Sequence, residues 1–365
     1  MRPAKYLQLV FPIFNAKRTK EIFAVNPTIA PVREEATEVK FYVFEYNASS
    51  FKEYELATIA ECVALKHDNN EHISWINIDG LRKDEIEKVC KHFGIHPLLM
   101  EDILSIGQRP KIDEIDNRLF ILLNMLYFND KTSAVETEQI SIALGENFVI
   151  TFQEDANRDV FNSLRERLRY PSSKIRQSHA DYLCYSLIDM IVDHYYVVLE
   201  QLGEKIELLE EEIIRVGNTR SLVKINMLRK ELIVLKRNVS PVRDLVNVLM
   251  RSQSNLLEER TTKYFKDVYD HIVQANDLVE NYRDMMTSLQ DLYLNKVNLR
   301  MNEVMKVMAV VTCLMAPATV IGGIFGMNFD VIPLLHQHRG FYIAVGLMFI
   351  IPTWMLWVFK KRGWF

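Results

Sequence analysis

Glycine and proline are sparse in this sequence, and their longest absence predicts its longest helix. The 365 residues include 12 glycines and 11 prolines, and none of either lies in residues 242–316. As one helix this segment would extend on the order of 110 Å. We expect a turn near residues 252–254 and one continuous helix from about Glu258 onward. Local propensity does not stabilise a helix of that length, so it needs helical partners.

Cysteine is scarce as well, and so are the residue patterns of common enzymes. The four cysteines lie far apart without CxxC spacing, which argues against a disulfide framework or a zinc site and favours buried, reduced thiols. There is no Ser/His/Asp, Cys/His or HExxH arrangement and no glycine-rich phosphate-binding loop, so we expect no enzyme. The net charge of −4 and the lack of a basic stripe make nucleic acid an unsuitable partner.

Charge is nearly missing from the C-terminal part of the chain. After Lys306, only Asp330 and Arg339 are charged before a basic tail at residues 360–365. The uncharged runs 307–326 and 340–359 each match the roughly 20 helical residues that cross a bilayer. One such run could be a buried core helix. Two in succession, with tryptophans and basic residues after the second, predict a membrane hairpin in the lipid bilayer.

Charge also predicts the orientation of this hairpin. The basic tail suits the cytoplasmic side, so both termini are expected in the cytoplasm and the loop 329–339 outside. No targeting peptide is recognisable at the start, which suits a bacterial inner membrane.

The preceding part of the chain mixes short strands with helices. Residues 1–177 are predicted to form an α/β cytoplasmic domain, of α+β class and αβα-like, with strands near residues 41–44, 73–78, 119–128, 140–143 and 148–152 and helices at 57–66 and 83–93. Residues 178–257 read as a helical hairpin region, with helices at 182–215 and 221–238 around Gly217. Residues 258–328 are predicted to be a stalk helix that continues into the first span.

One face of the first span is small or weakly polar along its whole length. Steps of three and four residues place these positions on that face: Asn302, Met305, Ala309, Thr312, Ala316, Thr319, Gly323 and Gly326. Tight helix packing through small residues is one explanation of this stripe. The other is a pore that several copies of the helix line together.

The stalk carries the same face toward the N-terminus as a ladder of acids. Heptad steps back from Met305 and Asn298 give Asp291, Asp284, Asp277 and Asp270. A packing seam made of stacked aspartates would cost desolvation energy, and an apolar seam lies on an adjacent face, from Val268 to Tyr293. A solvated outer face is the alternative, but we favour a water-filled acidic funnel. Since one chain with two spans cannot enclose a pore, a symmetric homo-oligomer follows.

The sequence resembles the CorA family of magnesium transporters. Gly326-Met327-Asn328 directly after a span, followed by a second span, is similar to the family's signature. The resemblance covers residues 95 to the end. Further matching segments are His96-Pro97, Glu101-Asp102-Ile103-Leu104, Gln108-Arg109-Pro110-Lys111, Asp181-Tyr182, Ser186 to Asp189, Tyr264 to His271, Asn302 to Val307, Pro317 and Thr319.

The resemblance implies a funnel-shaped homopentamer that moves Mg²⁺, with Co²⁺ or Ni²⁺ as further ions. It implies that Asn328, with Gly326 and Met327, receives the hydrated ion, and that Met305 and Met308 form the gate. Regulatory metal between subunits would bind Asp102 of one and Asp267 of the next. A second regulatory site would use Glu101, Asp189 and His271.

Two alternatives stay open at this point. A Zn²⁺ transporter of the same superfamily, with proton coupling, is the nearer one, and His336 and His338 in the loop are its candidate ligands. A membrane-anchored metal sensor is the other, but a sensor needs no polar stripe through the membrane. The sequence departs from the family at residues 332–335, where a loop glutamate is missing, and at Ala316, where a bulkier residue is expected.

Overall fold

The structure is a computed structural model that describes residues 36, 38–64, 72–155, 158–327, 332–334, 337 and 339–364. It divides into two compact units. The first contains the described residues up to Glu212 together with Asn218–Leu289, and the second contains Ile213–Gly217 and the residues from Gln290 onward.

A mixed seven-stranded sheet forms the centre of the first unit. Its order is β2-β1-β3-β7-β6-β5-β4, and β3 and β7 are the parallel pair while the other neighbours are antiparallel. The strands are β1 (Lys40–Tyr46), β2 (Phe51–Leu56), β3 (Ile73–Asp79), β4 (Lys111–Ile115), β5 (Arg118–Asn129), β6 (Ala134–Leu144) and β7 (Phe148–Gln153).

Side chains of successive strand residues point to opposite faces, and both faces of this sheet are covered. Ile76, Ile78 and Phe152 belong to an apolar core that also includes residues of α1 (Ile59–Ala64), α2 (Lys83–Phe93) and α3 (Pro97–Leu104). On the other face, the Trp75 ring lies 4.9 Å from Phe44 and 6.1 Å from Phe161, which precedes α4 (Asn162–Arg169). The layers are therefore helix, sheet, helix.

Three long helices follow the sheet: α5 (Ala180–Arg215), α6 (Thr219–Arg251) and α7 (Glu259–Phe325). In the first unit, α5 and α6 contact the β5–β6 part of the sheet, where Tyr195 donates to the Asn124 carbonyl and Asn124 donates to Asn238 at 2.8 Å. The apolar seam predicted on α7 is buried there at Val268, Ile272, Ala275, Val279, Met286 and Leu289. Its partners are the chain's own helices, since Tyr196 of α5 donates to the His271 carbonyl and Ser240 of α6 donates to Asn276.

The second unit contains the end of α7 and the helix α8 (Gly340–Lys361). Both helices are long and apolar enough to cross a membrane, with mean hydropathies of 2.1 and 1.9 over their most apolar stretches. A Cβ added at Gly322 of α7 would lie 3.7 Å from Met348 Cε of α8, so the two helices approach closely at that point.

Several elements differ from the prediction. The edge strands β2 and β4 and the helices α3 and α4 were not predicted, because the edge strands are rich in charge and the helices are only eight residues long. The helix predicted to end at Asn238 continues to Arg251 through Pro241. Buried Val239, Val242 and Val246 hold this stretch in place although proline removes one backbone donor.

Candidate functional site

The small and weakly polar stripe of α7 is exposed in the single chain. Asn302, Met305, Met308, Ala309, Thr312, Ala316, Thr319 and Gly323 are all exposed. The covered positions of this segment are Val310, which is buried, and Leu314, Pro317, Ala318, Ile321 and Phe325, which are half-buried. At 100° per residue these lie about 160° from the stripe, so the stripe is on the side of α7 that α8 leaves uncovered.

The helix α7 ends directly before the tripeptide Gly326-Met327-Asn328, which resembles the family signature. Phe325 is the last helical residue, and the backbone N–H of Gly326 still donates to the Gly322 carbonyl at 3.0 Å. Gly326 and Met327 are exposed. Asn328 lies outside the described residues, as do Asp330, His336 and His338. The last carbonyls of a helix have no partner within it, so this end presents acceptors and the negative end of the helix dipole.

The predicted acidic ladder is solvent-facing in both units. Asp270, Asp277 and Asp284 are exposed in the first unit, and Asp291 is exposed in the second. The neighbouring Glu280 differs, because it forms ion pairs with Lys236 of α6 and with Arg283. The ladder is thus separate from the side of α7 that packs against α5 and α6.

A cluster of metal-ligating groups lies between α5 and α7 in the first unit. One ligand atom each of Asp189, Asp193 and His271 lie within 4.8 Å of one another. Asp189 and Asp193 are one helical turn apart on α5, and His271 comes from the facing turn of α7. Asp267, one turn before His271, is close enough that its charge raises the pKa of Asp189.

The donor set of this cluster fits a divalent cation. His271 Nδ1 is buried and has no hydrogen-bond partner among the described residues, and Asp193 Oδ1, at 3.6 Å, is too distant to be one. Burial and the charge of Asp193 raise the pKa of Asp189 to about 6. The cluster therefore holds an unused imidazole nitrogen and carboxylates that repel one another, and a cation would satisfy both.

The structure places the other two predicted regulatory ligands on α3. Glu101 is exposed, and Asp102 is partly buried and paired with Lys111 of β4, with Asp102 Oδ2 and Lys111 Nζ 2.6 Å apart. Lys111 Nζ is also 3.4 Å from Asp113 Oδ2. The proposed link between Asp102 and Asp267 joins two subunits and stays a prediction.

Two residues beside the predicted metal ligands, Asp193 and Lys111, were not predicted as site residues from the sequence. Asp193 follows Asp189 by four residues on a helix, and this spacing alone is a usable signal for a shared face. Lys111 lies in a segment that resembles the family, but no pattern around it marks it as a site residue. Its pairing with Asp102 depends on how β4 lies beside the end of α3, which no local pattern encodes.

The chain is similar to known transport proteins over most of its length. A family model described as CorA-like Mg²⁺ transporter protein matches residues 70–361. The cobalt/magnesium transport protein CorA of Thermotoga maritima is 38% identical over 323 residues, which cover 88% of this chain and 91% of that protein. The protein of the same description from Methanocaldococcus jannaschii is 25% identical over 291 residues, covering 80% and 90%.

A solved structure shows the same fold. The complete CorA magnesium transporter from Methanocaldococcus jannaschii matches with a TM-score of 0.73 at 23% identity, covering 91% of this chain and 100% of that one. This match confirms the predicted fold class of an α/β domain, a long helix and two C-terminal apolar helices. The family match confirms that the chain is a membrane transport protein and not an enzyme. The chain is a member of the CorA-like Mg²⁺ transporter family.

Proposed function

We propose that this chain forms a homopentameric channel for Mg²⁺ uptake across a bacterial inner membrane, with both termini in the cytoplasm. Its relatives in Thermotoga maritima and Methanocaldococcus jannaschii are cobalt/magnesium transport proteins. Copies of α7 surround a central path, and α8 packs outside them. Co²⁺ and Ni²⁺ are also carried when they are present as hydrated ions.

The exposed stripe of α7 is the observation that carries this proposal. Small residues such as Thr312, Ala316 and Gly323 make one side of a membrane helix weakly polar and free of bulky side chains. Because α8 covers the opposite side, the stripe is free to meet the same stripe of other copies. Met305 and Met308 are the bulky side chains near its cytoplasmic end, where they form the gate.

The mouth of the path suits a hydrated dication. Mg²⁺ releases its water reluctantly and prefers oxygen ligands. A ring of Asn328 amides beside the last carbonyls of α7, with Gly326 and Met327, binds the ion through its waters. Inward movement of a dication gains about 4.6 kcal/mol per 100 mV, so uptake needs no nucleotide. The exposed aspartates from Asp291 to Asp270 then draw the ion toward the cytoplasm.

Cytoplasmic metal closes the channel. Asp102 of one subunit and Asp267 of the next bind one regulatory Mg²⁺. Asp189 and His271, with Asp193 beside them and Glu101 of the neighbouring subunit, bind a second. The unpartnered His271 nitrogen and the raised pKa of Asp189 support this second site.

The direct test is ion uptake into proteoliposomes that contain only this protein. Dye-reported Mg²⁺ influx should rise with an inside-negative potential, and Asn328→Ala should abolish it. Cysteine accessibility then tests the direction of the stripe, in a background where the native Cys313 is serine. Ala309→Cys and Thr312→Cys should react with a charged thiol reagent from the water phase. Val311→Cys, which is equally exposed in the single chain, should stay unreactive because it faces lipid.

Other outcomes would point to the alternatives. Absence of Mg²⁺ flux in the wild-type protein, with equal labelling at positions 311 and 312, would remove the pore and favour an anchored sensor. Uptake of Zn²⁺ that requires a pH gradient, while Mg²⁺ is excluded, would favour the Zn²⁺ transporter.

A further inference from the structure

We infer that Lys111 is an internal competitor of the regulatory metal at Asp102, and that Asp113 receives the lysine when metal binds. This inference rests on the proposed regulatory role of Asp102. It adds the residues that determine at which Mg²⁺ concentration the site fills.

The pair between Asp102 and Lys111 joins two well-fixed elements. The Asp102 carbonyl accepts from Gln139 Nε2 of β6 at 2.9 Å, which ties the end of α3 to the sheet. Lys111 is the first residue of β4 and lies opposite Leu122 of β5. The side chain of Asp102 is only 15% exposed and that of Lys111 is 35% exposed, so water screens this pair less than a surface pair.

A carboxylate that already holds an ammonium group binds a dication less well. Mg²⁺ at Asp102 must either displace the lysine or lie beside its positive charge, and both lower the affinity of the site. Displacement is possible without a large movement, because Asp113 Oδ2 is already 3.4 Å from the same Nζ. The lysine thus has two partners, one at the site and one next to it.

Two substitutions should shift the Mg²⁺ concentration for half-maximal closure in opposite directions. Lys111→Met removes the competitor and should lower the Mg²⁺ concentration for half-maximal closure by about fivefold, the value of a pair of this kind. Asp113→Asn removes the second partner, so the lysine stays on Asp102 and the midpoint should rise by about two- to threefold. A role of Lys111 in folding alone would not produce opposite shifts.

The experiment is a Mg²⁺ titration of protease protection on the full-length protein, with chymotrypsin, which does not cleave at lysine. Lys111→Arg keeps the charge and should retain the wild-type midpoint. Lys88→Met is the matched control, since it also removes one lysine of the α/β domain, but one that pairs with Glu85. If Lys111→Met folds poorly, Lys111→Gln replaces it, and the midpoint rather than the extent of protection is compared.

Three results decide the matter. A lower midpoint for Lys111→Met and a higher one for Asp113→Asn, with Lys88→Met unchanged, support the inference. If Asp102→Asn weakens protection but the Lys111 variants leave the midpoint unchanged or shift it no more than Lys88→Met, the competitor role alone is overturned. If Asp102→Asn has no effect, the proposed regulatory site fails and this inference fails with it.

Discussion

A buried carboxylate in the sheet makes the stability of this protein depend on pH in a calculable way. Glu138 of β6 is 6% exposed, and its Oε1 accepts from the backbone N–H groups of Glu154 and Asp155 at 2.9 and 2.8 Å. Burial outweighs these two hydrogen bonds and raises the pKa of Glu138 to about 7. In the unfolded chain the pKa returns to its ordinary value of 4.5.

The sign of the pH dependence follows from this raised pKa. Below pH 4.5 both states carry the proton, so the full contribution of the protonated group to stability is present. Between pH 4.5 and 7 the unfolded chain releases the proton while the folded protein keeps it, and stability falls as the pH rises. The gap between the two pKa values corresponds to about 3 kcal/mol, all of it lost above pH 7.

Glu138→Gln should remove this pH-dependent loss of stability without disturbing the hydrogen bonds around residue 138. The glutamine Oε1 can accept the same two backbone N–H groups, because both reach Oε1 in the native protein. Its amide replaces Oε2, which lies 3.3 Å from the Tyr127 hydroxyl, and that hydroxyl in turn donates to the Arg158 carbonyl. The amide N–H₂ therefore imitates the protonated acid, because either group can donate to the Tyr127 oxygen when the one hydroxyl hydrogen goes to the Arg158 carbonyl.

The assay is a urea titration of the detergent-solubilised protein at several pH values, followed by tryptophan fluorescence. Trp75 is fully buried in the same sheet and reports its unfolding. Near pH 4 the variant and the wild type should be equally stable, and at pH 8 the variant should be more stable by about 3 kcal/mol. Comparing the two proteins cancels the effect of other titrating groups such as Asp79. Parallel curves from pH 4 to 8 would refute the reasoning.

Three further predictions test the fold and the candidate sites. Gly80→Ala should lower the free energy of unfolding by about 2 kcal/mol or more in the same assay, because φ is +86° and a Cβ would lie 2.4 Å from the Glu38 carbonyl oxygen. Gly94→Ala, where φ is +66° and the space around a Cβ is open, should lower it by only about 1 kcal/mol, and equal losses would contradict this. Asp277→Asn combined with Asp284→Asn should slow Mg²⁺ uptake at low ionic strength by about twofold or more, because the two carboxylates attract the cation over a distance. Added salt should remove this effect and Glu280→Gln should not show it, whereas slowing that persists in salt would count against long-range attraction. Asp193→Asn should raise the Mg²⁺ concentration for half-maximal protease protection by about tenfold, because it removes one carboxylate ligand. The control Asp244→Asn should leave that concentration unchanged, and no change in either variant would exclude Asp193 as a ligand.

Periodic patterns made most of the fold predictable. The short apolar runs of β3 and β7, the absence of glycine and proline from residues 242–316 and the two uncharged runs are each local features of the sequence, and each element was found. The edge strands β2 and β4 were not predicted because their charged residues interrupt the apolar pattern that marks the inner strands. The helix predicted to end at Asn238 continues through Pro241, because burial of the neighbouring valines outweighs one lost hydrogen bond.

Residue patterns alone predicted a candidate site only where its residues share one element, and the pairing of Asp189 with His271 was expected from the family resemblance. The stripe on α7 is a property of one helix, so its spacing was readable in the sequence. Asp193 joins His271 because α5 and α7 lie side by side, and Lys111 joins Asp102 because β4 follows α3 at the edge of the sheet. Contacts of this kind depend on packing between elements, which periodicity does not report.

The two groups of carboxylates differ in burial, and this difference suits two different tasks. The aspartates from Asp270 to Asp291 are exposed, so water screens them and each attracts a hydrated cation weakly. A path needs such weak sites, because an ion held firmly does not move on. Asp189 is partly buried beside Asp193 and close to Asp267, and it keeps its charge only at a cost in free energy. A bound dication removes that cost, so the cluster should bind metal more tightly than the ladder does. Under the proposed function, the closing signal would then respond to a steady cytoplasmic concentration while ions pass along the exposed aspartates without being retained.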